Sequence, residues 1–335
     1  MNVVLLPGDG IGAEVVAEAR KALEAAAPDL QLSEGLLGGA AIASEGEALP
    51  ATTLRACRNS DAILMGAVGA SAYSWSASNP EDGMFALRRE LDVYANLRPF
   101  REGGIDLLIV RELVGGLYFG ERGTRPDGTV FDTCEYHPDR VDRLLRRGFE
   151  VARTRGGRLT SVDKANVLAT SRMWRERAEA LAAEYPDVEL SHLLVDTAAM
   201  RLVESPGSFD VIVTENTFGD ILSDVAAALA GGLGVAASAS LGDGGPGLFE
   251  PVHGTAPDIA GKGIANPTAA IRSAAMLLEH GLGRPEAAGR LEAALDRAAV
   301  RAPTVDRGGS AGTSEFGDAV VAEICATAEE VGADV

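Results

Sequence analysis

Hydrophobic and polar positions follow two different periods along the chain. Short apolar runs predict β-strands at 3–7, 61–69, 106–113, 158–164, 190–196 and 209–216. Apolar residues spaced three and four apart predict helices at 13–26, 83–91, 139–155, 171–184, 197–204, 219–230, 267–280, 285–300 and 314–330. Because the predicted strands and helices alternate, the pattern predicts an α/β fold built in layers.

Two segments need a separate interpretation. Residues 120–138, GERGTRPDGTVFDTCEYHP, are polar and lack helical spacing, which predicts an extended arm or a hairpin. The longest uncharged run, 225–242, consists mainly of Ala, Gly and Ser. We expect it to form a closely packed buried helix followed by a loop, rather than a membrane span.

Composition limits the partners and the compartment. The 335-residue chain is long enough for two domains and carries a formal net charge of −19, so its average surface repels nucleic acid and anionic lipid. We therefore expect neither nucleic acid nor a membrane as a partner. Three widely separated cysteines and the lack of a signal-peptide pattern favour the cytoplasm.

A glycine-rich turn, LPGDGIG, joins the first predicted strand to the first predicted helix. Its glycines, Gly8, Gly10 and Gly12, are spaced G-x-G-x-G, whereas a Rossmann dinucleotide site needs G-x-G-x-x-G. The segment 29–34, where the next strand and its acidic residue should lie, matches a strand poorly. The pattern therefore favours a tight strand-to-helix turn over a Rossmann loop.

Two aspartates lie four residues apart in ENTFGDILSDVAAAL, residues 215–229. Asp220 and Asp224 therefore share one face of a predicted helix, where like charges repel. They are either oxygen ligands of Mg²⁺ or Mn²⁺, or part of a solvated polar face. The apolar residues around them favour the metal.

Three arginines could bind the carboxylates of a small acid. Arg88, Arg98 and Arg111 can each form a bidentate pair with a carboxylate, and Arg111 ends a predicted strand, where ligands often bind in α/β sheets. The alternative is that each arginine forms its own structural ion pair.

A lysine follows another predicted strand, in SVDKANVL. A lysine beside a metal and arginines can have a lowered pKa and act as a base. Lysine is rare in this chain, so Lys164 is a candidate catalytic base.

A long Gly- and Pro-rich loop, 249–270, is too polar for a core. Ordered loops of this length are usually functional. Asn266 and Pro267 predict the start of a helix that Gly281 ends. His253 could serve there as a ligand, a base or a stacking ring.

These stretches, in this order, resemble the β-decarboxylating dehydrogenases, a family that includes isopropylmalate, isocitrate, homoisocitrate and tartrate dehydrogenases. The resemblance covers nearly the whole chain, from LPGDGIG through GKGIANPTAA to GGSAGTSEF, and NTFGDILSD is its most specific part. It implies a two-domain, non-Rossmann α/β fold of the isopropylmalate/isocitrate dehydrogenase type. Residues 1–93 and 232–335 would form the first domain, on the cofactor side. The second, 94–231, would carry the metal, the substrate, the dimer interface and a β-arm.

Within the family, RELVGGLYFGERG is most similar to the isopropylmalate dehydrogenases. Their specificity stretch has a Glu and two leucines before an Arg; here Glu81 and Arg88 match, and Met84 and Phe85 replace the leucines. This apolar wall suits an isopropyl group, and the resemblance implies NAD-dependent oxidative decarboxylation of (2R,3S)-3-isopropylmalate to 2-oxo-4-methylpentanoate and CO₂, a step of leucine biosynthesis. Homoisocitrate, tartrate, D-malate and other alkylmalates stay open as substrates, as does a non-catalytic regulatory relative. The short connection FREGG, residues 100–104, is a further departure from isopropylmalate dehydrogenases.

The resemblance also implies a role for each site residue. Lys164 would be the base for the substrate hydroxyl, and Tyr118 the acid that protonates C3. The residues implied to bind substrate are Glu81, Met84, Phe85, Arg88, Arg98, Arg111, Asn166 and Asp220. The implied ligands of Mg²⁺ or Mn²⁺ are Asp196, Asp220 and Asp224. In the family, Lys164 and Asp196 come from the partner subunit, which implies a homodimer with shared active sites.

The cofactor is implied by the stretch HGTAPD. Asp258 would accept hydrogen bonds from both adenosine ribose hydroxyls and would repel a 2′-phosphate, which implies NAD rather than NADP. The other residues implied at the cofactor are Ile11, Glu250, His253, Gly254, Ala256 and Asn266.

Overall fold

The computed structural model of the chain describes residues 1–69, 79–101 and 104–333, with side chains up to 326. Contacts within the chain divide it into two compact units. The terminal unit consists of Met1–Asp92 and Leu233–Val335, and the central unit of Val93–Gly232. Part of the FREGG connection, residues 102–103, lies outside the described residues.

The described strands and helices alternate along most of the chain. The strands are β1 (Asn2–Gly8), β2 (Gln31–Glu34), β3 (Ala62–Ala67), β4 (Ala95–Phe100), β5 (Leu107–Glu112), β6 (Arg122–Thr124), β7 (Val130–Asp132), β8 (Arg158–Asp163), β9 (Glu189–Leu194), β10 (Val211–Thr214), β11 (Ala237–Leu241) and β12 (Gly247–Pro251). The α-helices are α1 (Gly12–Ala26), α2 (Gly39–Glu45), α3 (Ala51–Arg58), α4 (Pro80–Glu90), α5 (Pro138–Arg153), α6 (Ala169–Ala182), α7 (Val195–Glu204), α8 (Asn216–Leu229), α9 (Thr268–Met276), α10 (Pro285–Arg301) and α11 (Thr313–Ala333). The predicted α/β class is confirmed.

In the terminal unit, the described strands lie in the order β2-β1-β3-β12-β11; β11 and β12 pair antiparallel, and the other neighbours in this order pair parallel. Helix α1 packs on β1 and β3, α9 packs on β11 and β12, and α11 packs on α1 and α10. The buried faces carry the core, with Leu5, Leu6 and Leu64 on strands and Leu23 on α1. Removal of these apolar side chains from water stabilises the unit.

In the central unit, five of the described strands lie in the order β4-β5-β10-β8-β9; β4 and β5 pair antiparallel, and the other neighbours in this order pair parallel. Helices α5 and α6 pack on each other and on the strands, as do α7 and α8. The predicted arm at 120–138 contains the antiparallel hairpin of β6 and β7. The strands β5, β10 and β8 are parallel neighbours, so their carboxyl ends lie at the same edge of the sheet. Candidate site residues lie at or just after these ends, namely Arg111 on β5, Lys164 after β8 and the start of α8 after β10.

Several sequence-based element predictions were wrong. The segment 31–34 is an edge strand, although its side chains are mostly exposed and polar. Residues 237–241, expected in a helix-and-loop segment, form β11, whose small Ala and Ser side chains lie buried beside β12 and α9. The strands β4 and β12 and the short helices α2 and α3 were also missed. For the three strands β2, β4 and β12, pairing with neighbouring strands overrides weak local preference. Asp196, placed at the end of a predicted strand, lies in the first turn of α7.

None of the helices among the described residues combines the length and the apolar character that a membrane span requires.

Candidate active site

Helix α8 brings the two aspartates of NTFGDILSD to the end of β10. The helix begins because Glu215 caps it: its carboxylate accepts a hydrogen bond from the backbone N–H of Phe218 at 2.6 Å. Asp220 is half-buried in the following turn, and Asp224 is exposed one turn later on the same face.

Two buried arginines on neighbouring strands converge on Asp220. The Arg111 Nη1 atom, on β5, donates to Asp220 Oδ1, and Arg98 Nη1, on β4, lies 3.7 Å from the same oxygen. Arg98 also donates to Asn96 Oδ1 and Ser223 Oγ, both at 2.7 Å. The structure therefore brings together three residues that the sequence placed in separate motifs.

Tyr118 joins this cluster from the 3₁₀ turn Gly116–Tyr118. Its hydroxyl donates to Asp220 Oδ2 at 3.1 Å. Burial, and then the charge of Asp220, raise the pKa of Tyr118, so the phenol holds its proton. A protonated phenol at this position can donate a proton or a hydrogen bond to a bound molecule.

The chemistry of the aspartate pair fits a divalent cation. Desolvation of its carboxyl group raises the pKa of Asp224, and the negative charge of Asp220 adds to this rise, while the charge of Arg98 acts against it. A cation between the two carboxylates would relieve both effects. Within one chain, however, no three His, Cys, Asp or Glu side chains among the described residues are grouped so that they could hold a metal ion. Asp196 is not grouped with Asp220 and Asp224 in the single chain.

Lys164 and Asp196 form a second cluster in the central unit. Lys164 follows β8, and its Nζ lies 2.9 Å from Asp196 Oδ2. This contact lowers the pKa of Asp196. The turn after Lys164 is held by buried Asp163, which accepts the Ala165 N–H at 2.9 Å and pairs with Arg175 at 2.8 Å. Asn166 is exposed in this turn.

In the terminal unit, Arg88 forms a buried ion pair. Its Nη2 lies 2.7 Å from Glu250 Oε1, on β12, and both residues are 6% exposed. Glu81, Met84 and Phe85 are half-buried on the same face of α4 as Arg88, because positions i, i+3, i+4 and i+7 align on a helix. Arg88 thus forms a structural ion pair, which is the alternative to ligand binding that the sequence left open. The face of α4 that carries Glu81, Met84 and Phe85 remains partly accessible.

The first glycine-rich turn supports the 251–267 loop. Ile11 N–H donates to Thr255 O at 3.0 Å, and Gly10, at φ +56°, leaves no room for a Cβ, which would lie 2.1 Å from Thr255 O. The Glu14 carboxylate accepts the N–H groups of Gly261 and Gly263. The turn therefore contacts a segment about 240 residues away in sequence rather than forming a Rossmann site.

The residues expected at the cofactor lie along this loop. Desolvation lowers the pKa of His253, whose Nδ1 contacts Gly254 O at 2.9 Å. Ala256 has φ +39°, and Asp258 and Gly254 are exposed. Asn266 does not begin α9, which starts at Thr268, but its side-chain oxygen accepts the Thr268 N–H at 3.0 Å.

Sequence reasoning missed a buried polar network behind Arg111. It consists of Glu112, Tyr136, Glu215 and Asn216. Burial raises the pKa of Glu112 to about 7 and also raises the pKa values of Tyr136 and Glu215. The sequence signal for this network is that two of its members lie inside recognised motifs, Glu112 in RELVGG and Asn216 in NTFGDILSD.

Comparison with known proteins agrees with this geometry. Residues 2–320 match the family model described as isocitrate/isopropylmalate dehydrogenase. The chain is 50% identical to 3-isopropylmalate dehydrogenase of Zymomonas mobilis, over 97% of this chain and 100% of that protein. It is 51% identical to 3-isopropylmalate dehydrogenase of Synechococcus elongatus, over 88% of each chain. A crystal structure of isocitrate dehydrogenase from Methylococcus capsulatus matches with a TM-score of 0.90 and 37% identity, over 96% of this chain and 99% of that one.

The chain belongs to the isocitrate/isopropylmalate dehydrogenase family. It is an enzyme, a β-decarboxylating dehydrogenase, and the predicted family and fold are confirmed.

Proposed function

We propose that this enzyme catalyses the NAD-dependent oxidative decarboxylation of (2R,3S)-3-isopropylmalate to 2-oxo-4-methylpentanoate and CO₂, a step of leucine biosynthesis. The observation that carries the proposal is the convergence of Arg98, Arg111 and Tyr118 on Asp220. This cluster offers cations for substrate carboxylates beside an acid and a metal-binding carboxylate. Relatives about half identical over nearly the whole chain, named 3-isopropylmalate dehydrogenases, support this choice of substrate.

The substrate would be held by its carboxylates and its alkyl group. Arg98 and Arg111 would bind carboxylate oxygens of the substrate. Arg88, now paired with Glu250, would turn part of its guanidinium to a substrate carboxylate. Met84 and Phe85 would contact the isopropyl group, with Glu81 and Asn166 contacting polar parts of the substrate. Because Met adapts its shape and Phe is larger than Leu, a different alkyl group on C3 is the second candidate.

A divalent cation, Mg²⁺ or Mn²⁺, would bind Asp220 and Asp224, with Asp196 supplied by a second copy of the chain. When bound, it would stabilise negative charge on the substrate oxygen at C2. The residues along the 251–267 loop would hold NAD⁺, which would supply the hydride acceptor for the oxidation at C2. Lys164 would take the proton of the C2 hydroxyl, and Tyr118 would deliver a proton to C3 after CO₂ leaves.

The cofactor would bind along the 251–267 loop of the terminal unit. The exposed carboxylate of Asp258 would accept hydrogen bonds from the adenosine ribose and disfavour the 2′-phosphate of NADP. Ile11, Glu250, His253, Gly254, Ala256 and Asn266 would line the site. The terminal unit would thus carry the cofactor, and the central unit the metal, much of the substrate site and the dimer interface.

The working form would be a cytoplasmic homodimer with shared active sites. The central unit leaves large apolar side chains exposed at Val167, Leu168, Met200, Val203 and Ile221. Met200 and Val203 lie on α7 and Ile221 on α8, which pack on each other, and exposed apolar patches mark protein interfaces, so we treat these five side chains as one proposed patch. Lys164 and Asp196 lie beside them in sequence, so a second copy that covers the patch would bring these residues to its partner's Asp220.

Turnover of a substrate panel tests the proposed function. The purified chain is assayed for NADH absorbance with NAD⁺, Mn²⁺ and each of 3-isopropylmalate, 3-ethylmalate, homoisocitrate, isocitrate, tartrate and D-malate. We expect the highest kcat/KM with 3-isopropylmalate. A higher value for another acid would reassign the substrate, and no NADH with any acid would indicate a non-catalytic relative.

A further inference from the structure

We propose that Asn216 is a positioning residue that orients the guanidinium of Arg111 for the substrate carboxylate, with Tyr136 holding Asn216 in place. The inference deepens the proposed function and rests on it, because it assigns Arg111 to substrate binding. It concerns a residue that does not itself reach the reacting atoms.

Asn216 contacts Arg111 on one edge of the guanidinium. Its Oδ1 accepts hydrogen bonds from Arg111 Nε at 3.1 Å and from Nη2 at 2.8 Å, and Asn216 is only 1% exposed. The third nitrogen, Nη1, faces Asp220. The amide thus fixes the plane of the guanidinium and directs Nη1 toward the proposed metal and substrate site.

The orientation of the Asn216 amide is fixed by its partners. Its Nδ2 donates to Gly115 O at 3.0 Å, and only the NH₂ group can donate to a carbonyl. The Gly115 backbone is held in turn, because the two side-chain oxygens of Glu112 accept the N–H groups of Val114 at 3.0 Å and Gly115 at 2.8 Å. If the amide were flipped, its NH₂ group would face the N–H groups of Arg111, and two donors cannot form a hydrogen bond.

Tyr136 holds the Asn216 backbone. Its hydroxyl accepts the N–H of Asn216 at 3.0 Å and donates to Glu215 Oε2 at 3.0 Å. The ring packs edge-on against Trp174, with centroids 6.1 Å apart. One phenol therefore links the first residue of α8 to its capping glutamate.

Close packing holds the stem of Arg111 from another side. A Cβ at Gly219 would lie 2.6 Å from Arg111 Cγ, so the arginine lies directly on the α8 backbone. The guanidinium and its stem are both constrained, and a fixed fork binds a carboxylate with little loss of side-chain entropy. Loss of the Asn216 amide would release this constraint while leaving the charge of Arg111.

The test is a double-mutant cycle between Asn216→Ala and Arg111→Lys. We expect Asn216→Ala to raise KM for the malate substrate about tenfold or more, because the charge-assisted hydrogen bonds from Arg111 to Asn216 that orient the guanidinium are lost. KM for NAD⁺ should not change. In the Arg111→Lys background, the same change should add less than about twofold, because the effect passes through Arg111. Asn59→Ala, at an exposed position of the terminal unit, is the matched control and should leave both KM values unchanged.

The outcomes separate this inference from the proposed function. The cycle uses whichever acid of the panel the wild-type enzyme turns over best. If 3-isopropylmalate is not that acid, the proposed substrate is wrong, but the ratio between variant and wild type still tests Asn216. Equal effects of Asn216→Ala in both backgrounds, or an unchanged KM in folded protein, would overturn the inference. If Asn216→Ala does not fold, Tyr136→Phe replaces it in the same cycle, with the same expected non-additivity at a smaller size.

Discussion

The ammonium nitrogen of Lys164 lies 2.9 Å from a carboxylate oxygen of Asp196 within the same chain. The pair comes from the end of β8 and the first turn of α7, apart from the cluster around Asp220. Both members are accessible, with side-chain exposures of 26% and 65%. The pair is therefore available to a second copy of the chain.

Replacement of this lysine tests its role as the base. We expect Lys164→Met to lower kcat by about 100-fold or more, because general base catalysis contributes that much. KM for substrate should change little, since the arginines remain. Steady-state kinetics check both values. Lys21→Met, which removes an ammonium from α1, should keep normal turnover, and near-normal kcat in Lys164→Met would remove the lysine as the base.

Cofactor choice is expected to depend on Asp258. The change Asp258→Lys replaces two acceptor oxygens by a cation, so kcat/KM for NAD⁺ should fall about tenfold or more and the preference should move toward NADP⁺. Kinetics with both cofactors measure the ratio. Glu47→Lys, which makes the same charge change at another exposed position, serves as the control. An unchanged ratio in Asp258→Lys would contradict the assignment.

The exposed apolar patch of the central unit should be the dimer interface. Val203 is 61% exposed, and Val203→Glu would place a charge in an apolar contact. We expect monomers by analytical ultracentrifugation and loss of most activity, because the shared site would be incomplete. Val300→Glu, at an 85% exposed position of the terminal unit, should leave the dimer intact. A fully active monomer would refute the shared site.

Burial of Glu112 should make stability depend on pH. Its pKa is raised from 4.5 to about 7, mainly by burial, so the folded chain keeps this proton after the unfolded chain has lost it. The contribution of Glu112 to stability is therefore complete below about pH 4.5 and is lost as pH rises to about 7. We expect Glu112→Gln to reduce the fall in unfolding free energy between pH 5 and pH 8 by about 1–3 kcal/mol.

Urea unfolding at both pH values measures this difference. Glu189→Gln, at an exposed position, should show the same pH dependence as the wild-type chain. If the unfolding free energy falls equally between pH 5 and pH 8 in Glu112→Gln and in the wild-type chain, the buried carboxyl does not hold its proton.

Local spacing by itself determined much of the fold. Amphipathic periods predicted α1, α5 and α10 nearly to their ends, because each helix buries one continuous face. The four-residue spacing of Asp220 and Asp224 likewise placed both carboxylates on one face of α8. The order of motifs was enough to indicate the family.

Only the tertiary structure decided how the arginines are paired and which strands complete the sheets. Arg88 meets Glu250 across 162 residues, and Arg111 meets Asn216 across 105, distances at which no local pattern carries information. Strand β11, ASASL, has weak strand preference and forms because β12 supplies its hydrogen bonds. The sequence therefore determined the helices and strands whose own apolar spacing defines a buried face. Pairing between residues distant in sequence depended on the folded chain.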